Sequence, residues 1–124
     1  SYVVTKVNEI LNNNKKILNN AKILLMGVAY KKDISDMRES PAIDIAELLM
    51  DKNVDLSYYD PHVEEFNVSD TLINRETQPE SFDNYDMILV LTPHSDFVGI
   101  KFDKLKTIIF DTTGSDFIDS TERI

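Results

Sequence analysis

Cysteine is absent from the 124 residues, which excludes a disulfide framework, a thiolate nucleophile and a cysteine-bound zinc or iron–sulfur centre. Positive charge is scarce: 13 Lys+Arg stand against 22 Asp+Glu, a net charge of −9. A surface of that sign repels a phosphate backbone and argues against nucleic-acid binding. No apolar run approaches the roughly 20 residues that a membrane-spanning helix needs, and no signal peptide opens the chain. Glycine occurs only 3 times, few for any glycine-rich phosphate loop. What is there suffices for a core, since 42% of the residues are hydrophobic and the length is that of one ordinary domain. An acidic cytoplasmic domain is expected. The chain opens Ser1-Tyr2-Val3-Val4, without Met and already in a periodic apolar pattern, so a fragment of a longer protein is expected.

Val3, Val4, Val7, Ile10 and Leu11 share one face of a helix over residues 2–11, an apolar face with no obvious cover. The Asn- and Lys-rich stretch 12–20 reads as its end and a turn. Lys22 to Val28 is a short continuous apolar run, as in a parallel strand buried on both faces. Residues 30–39 read as a loop. Ser40-Pro41 signals a helix start, with Ala42, Ile45, Ala46 and Leu49 following at helical spacing. Strands are expected at 56–59, 87–91 and 107–110, and partial helix over 96–105. Residues 63–83 fit a short helix and a short strand, and 112–124 form a tail without a clear pattern. This alternation predicts an α/β, Rossmann-like three-layer domain with a mostly parallel sheet, helices on both faces and a preceding N-terminal helix. The boundaries are 1–20 for a connecting helix and turn and 21–124 for the domain.

Ligands of open α/β sheets bind beyond the carboxyl ends of the strands. That rule selects Gly27–Lys32, Asp60-Pro61-His62, Thr92-Pro93-His94 and Asp111–Gly114. Gly27 stands alone where a dinucleotide fingerprint requires three glycines, and Val28, Ala29 and Tyr30 would crowd a pyrophosphate. Asp60 ends the second strand, where a ribose-binding acid would sit. Lys31 and Lys32 at the mouth of the first strand suit a phosphate, or are solvated loop lysines; Tyr30 could stack on a base or pack on the sheet edge. Asp33, Asp36, Arg38 and Glu39 could hold Mg²⁺, but Arg38 opposes a cation, and the plainer reading pairs it with a carboxylate. No metal is expected. His62 and His94, the 2 histidines, could converge above the sheet or each cap a turn.

The run Ile23–Asp33, continued by Asp36-Met37-Arg38-Glu39-Ser40-Pro41-Ala42, resembles the C-terminal, UDP-binding domain of the UDP-glucose/GDP-mannose dehydrogenase family. Tyr58-Tyr59-Asp60-Pro61 and Thr92-Pro93-His94-Ser95-Asp96-Phe97 look like that domain's second and third strand endings, and the opening residues like its connecting helix. Details look closer to the UDP-N-acetylhexosamine branch. The resemblance implies a parent that oxidises a UDP-sugar C6 alcohol to a carboxylate for polysaccharide synthesis, using NAD, a Cys nucleophile and upstream domains. It implies a homodimer or larger assembly. It places Tyr30 and Lys31 at the uridine diphosphate and leaves Asp36, Arg38 and Ser40 to shape the loop. Where the family commonly carries Asp-Thr-Arg, this chain has Asp111-Thr112-Thr113, so Thr113 lacks the cationic fork; Arg75 and Arg123 are substitutes by type only. The domain alone is expected to bind UDP weakly, to bind no NAD and to turn nothing over. The alternatives are a stand-alone interaction module that docks through its first helix, and an NAD-binding regulatory domain.

Overall fold

The computed structural model describes residues 1–124, and its framework is a parallel sheet. In chain order the elements are α1 (Tyr2–Asn13), β1 (Lys22–Met26), α2 (Pro41–Asp51), β2 (Asp55–Tyr59), β3 (Asn67–Val68), β4 (Thr71–Leu72), β5 (Asn74–Arg75), β6 (Met87–Val90), β7 (Ile108–Asp111) and β8 (Glu122–Arg123). Six of them form one sheet in the order β5-β2-β1-β6-β7-β8. Every pairing in it is parallel. The small β3–β4 hairpin is antiparallel and separate. The strand order reverses between β1 and β6, so the crevice between their carboxyl ends is the topological switch point.

Both faces of the central strands are apolar because both are covered. Ile23 and Leu25 of β1 join Met87 and Leu89 of β6 on one face, with the α1 and α2 residues. Leu24, Met26, Ile88 and Val90 point to the other, among Phe82, Phe97, Phe102 and Ile118. The first cluster holds 23 buried residues and the second 10, so the helical side carries most of the core.

Several expectations change. Both α-helices lie on one face. The other is covered by 3-10 turns at Pro79–Asn84, Ser95–Gly99 and Phe102–Lys104, and by the tail through Ile118. The β6–β7 connection is too short in apolar periodicity to sustain an α-helix, and single turns seat Phe97 and Phe102 instead. Residues 63–83 contribute the hairpin and edge strand β5, and the tail returns as β8. Finally, the apolar face of α1 has a cover inside this chain: Val4, Val7, Ile10 and Leu11 are buried in the same cluster as Ala46 and Leu49 of α2. No helix is long and apolar enough to cross a membrane.

Candidate functional site

The sheet being parallel, the carboxyl ends of β2, β1, β6 and β7 share one edge. Backbone meets backbone at the centre of that edge. Gly27 has φ +79, and a Cβ placed on it would lie 2.1 Å from the Thr92 carbonyl oxygen. The glycine is therefore required twice, for its left-handed conformation and for the close approach of the β6 loop.

Asp60 organises the loops around this contact. Its side chain is buried, and Oδ2 accepts the backbone N–H groups of Val28 at 2.8 Å and Ala29 at 3.2 Å. His94 Nε2 lies 2.9 Å from the same oxygen, and Oδ1 accepts the His62 N–H at 2.9 Å. Burial pushes this carboxyl up, but the hydrogen bonds from His94, Val28 and His62 outweigh it and hold it below the ordinary carboxylate value. His94 is also fully buried. Its Nδ1 accepts the Asp33 N–H at 2.7 Å, so the proton sits on Nε2 and points at Asp60. Asp33 in turn accepts from Ser95, at 2.7 Å from the backbone N–H and 2.7 Å from the hydroxyl. Those two bonds, the hydroxyl's first, hold the Asp33 carboxyl low. The Thr92 hydroxyl donates to the Ala29 carbonyl at 2.7 Å. The loops after β1, β2 and β6 are thereby joined into one body.

The two histidines do converge, their ring centroids 4.5 Å apart. His62 Nε2 reaches Asp96 Oδ1 at 2.7 Å on the outer side. Asp33, His62, His94 and Asp96 bring donor atoms within 4.8 Å of one another, a set that could suit a divalent metal. Both His94 nitrogens already have partners, however, and a metal on Nδ1 would displace the Asp33 N–H. The cluster reads as a closed hydrogen-bond network. The acidic group Asp33, Asp36, Arg38 and Glu39 does not assemble around a centre: Asp33 faces Ser95, while Asp36 pairs with Arg38 at 3.0 Å. That ion pair lies within the loop and leaves Arg38 exposed. The loop is tied to the body by Ser40, whose hydroxyl donates to the Val28 carbonyl at 2.6 Å and accepts the Ala42 N–H at 3.2 Å, capping α2.

Above this body stand Tyr30 and Lys31. Tyr30 is 43% exposed, and Lys31 Nζ lies 5.5 Å from its ring centroid. Lys31 has no ion-pair partner. Two strands away, the buried Asp111 carboxylate closes the β7 turn, accepting the Thr113 N–H at 2.8 Å, its hydroxyl at 2.6 Å and the Ser115 N–H at 3.1 Å. The Thr113 hydroxyl is thus committed inside its own turn. Arg123 sits in register with Asp111 on β8, but its guanidinium turns back to Ser120 at 3.0 Å. Arg75 reaches the Asp60 carbonyl at 3.3 Å from the far side of β2.

Residues 24–120 match the model of the UDP-glucose/GDP-mannose dehydrogenase family, UDP binding domain. The chain belongs to this family. A UDP-N-acetyl-D-mannosamine dehydrogenase of Methanococcus aeolicus is 34% identical over 89 residues, which are 72% of this chain and 19% of that protein. UDP-glucose 6-dehydrogenase 2 of Arabidopsis thaliana is 38% identical over 89 residues, 72% of this chain and 17% of that protein. The native structure of the UDP-N-acetyl-mannosamine dehydrogenase from Staphylococcus aureus superposes with a TM-score of 0.69 at 33% identity, covering 98% of this chain and 28% of that one. This chain thus spans about a fifth of the length of the curated relatives it matches.

Within the family's UDP-binding domain, the switch point of this chain lacks the open amides and open space of a glycine-rich dinucleotide cradle. The Val28 and Ala29 N–H groups that could cradle a pyrophosphate are spent on Asp60. The space left by the missing Gly27 side chain is filled by Thr92. Asp60 points into the protein and offers nothing to a ribose. The acid's real task was missed in the sequence, although one signal was there: two strands end in the same Pro-His pair, at Pro61-His62 and Pro93-His94.

Proposed function

We propose that this chain supplies the UDP-binding wall of an NAD-dependent UDP-sugar 6-dehydrogenase. The observation that carries the reading is Lys31: an unpaired ammonium in a chain of net charge −9, held beside an exposed tyrosine ring at the switch point. A diphosphate is the ligand class for such a cation, and a uracil ring is a partner for Tyr30. Thr113 would line the same edge as a neutral group, so Lys31 bears more of the phosphate charge than it would beside an arginine. Asp36, Arg38 and Ser40 shape the loop that presents the pair.

The reaction in the parent is the oxidation of the sugar C6 alcohol to a carboxylate in polysaccharide synthesis. Its nucleophile and its NAD site belong to upstream domains, for which residues 1–20 are the connecting helix and turn. The diphosphate lies far from C6, so contacts gathered here position the sugar and leave the chemistry to those domains. A cytoplasmic homodimer or larger assembly is the form we propose for the parent. The domain alone binds UDP weakly, binds no NAD and catalyses nothing.

Calorimetric titration of the domain with UDP tests the reading. Lys31→Ala removes a charge-assisted contact worth about 1.5–3 kcal/mol, and should weaken binding by roughly tenfold or more. Unchanged affinity would remove Lys31 from the site. Turnover of a UDP-sugar with NAD by this chain alone would contradict the division of labour.

A further inference from the structure

We propose that His94 is a positioning residue for the nucleoside diphosphate: it touches no ligand, and holds the Tyr30–Lys31 turn in its binding form by bridging Asp60 to the Asp33 backbone. The inference rests on the reading of Tyr30 and Lys31 above. The turn is not one the chain adopts unaided. Asp33 has φ 63 and Glu39 φ 60, both in the left-handed region that disfavours side chains. The residues between them are exposed or half-buried, and of these Met37 packs against the core, so packing contributes little at the Tyr30–Lys31 end. One backbone bond closes the turn from within, Tyr30 N–H to the Asp36 carbonyl at 2.7 Å, and the other polar anchors come from outside it. Val28 and Ala29 are fastened by Asp60 before the turn. Asp33 is fastened after it, its N–H by His94 at 2.7 Å and its carboxylate by Ser95. Tyr30 and Lys31 lie between these two anchors. The imidazole connects them, since its Nε2 and Nδ1 make one bond to each. Breaking the Asp33 N–H bond leaves that end of the turn held only through the Asp33 carboxylate and Ser95, with its backbone no longer fixed, and the affinity falls by the fraction of molecules no longer in the binding form.

Two substitutions cut the bridge at opposite ends. In His94→Asn the amide oxygen takes the place of Nδ1 and keeps the Asp33 bond; in His94→Gln the amide NH₂ takes the place of Nε2 and keeps the Asp60 bond. Both lose the buried ring, so both lower the melting temperature. The expected result is that His94→Asn binds UDP within about threefold of the wild type, whereas His94→Gln binds about tenfold more weakly and its Asp33 amide exchanges hydrogen faster. Wild-type binding with equal affinities for the two variants would overturn the positioning role alone. So would equal exchange protection of the Asp33 amide in wild type and His94→Gln, whatever the titration gives. Absence of UDP binding by the wild type, with the exchange difference present, would instead overturn the proposed function.

Discussion

Gly27→Ala should be among the most damaging single-methyl changes in this chain. The added Cβ would lie 2.1 Å from the Thr92 carbonyl oxygen and 2.9 Å from the Thr92 Cβ. Ordinary contact requires a retreat of roughly 1 Å or more, and neither neighbour is a flexible side-chain end. The backbone on either side is pinned: Gly27 N–H donates to the Tyr59 carbonyl at 2.9 Å, and Leu91 N–H to the Met26 carbonyl at 2.9 Å. The displacement therefore falls on the Thr92 hydroxyl's bond to Ala29 and on the His94 N–H bond to the Thr92 carbonyl, 2.7 and 3.1 Å long. Each such bond contributes about 1 kcal/mol. The left-handed conformation at φ +79 adds about 1–2 kcal/mol for alanine. The total is a loss of about 3–4 kcal/mol. With a urea slope of about 2 kcal/mol/M, the unfolding midpoint should fall by roughly 1.5–2 M. A loss below about 1 kcal/mol would refute the reasoning, because the glycine would then be serving an open ligand cleft and not a backbone contact.

Two further predictions probe the body beneath the site. Asp60 is held below its ordinary pKa of 3.8 in the folded state, so its charged form contributes stability above about pH 4 that is lost as pH falls through the folded value. Asp60→Asn should lower stability at neutral pH and flatten the acid limb of a stability-versus-pH curve; an unchanged acid slope would count against it. Leu11→Ala empties a fully buried site between α1 and the sheet side of the core, and should cost about 2–4 kcal/mol in chemical denaturation. A cost under about 0.5 kcal/mol would mean that α1 is a loosely attached arm.

The central strands were legible because burial on both faces writes itself as continuous apolar runs, KILLM in β1 and MILV in β6. Ser40-Pro41 declared the start of α2 by local capping chemistry alone. The edge strands were not legible. Asn74-Arg75 and Glu122-Arg123 have no strand-like pattern, and are strands only because a neighbour offers its ladder. The covering of the second face is illegible for a related reason: Phe97 and Phe102 do the burying from single turns, which carry no periodicity. The site divides the same way. Tyr30 and Lys31 were visible by chain position after β1. The Asp60–His94 pair spans 34 residues of sequence and exists only once two strand ends lie side by side; the repeated Pro-His pair marks both strand ends without naming the partner. Asp33 looked like one more loop carboxylate until its backbone conformation and its bonds to Ser95 were known.

The most direct test of the account is an NMR titration of the isotope-labelled chain with UDP and, separately, with NAD. The account predicts shifts centred on Tyr30, Lys31 and residues 111–114 with UDP, their loss in Lys31→Ala, and no response to NAD. Shifts of the Gly27–Ala29 amides by NAD, or a UDP response that survives Lys31→Ala unchanged, would contradict it.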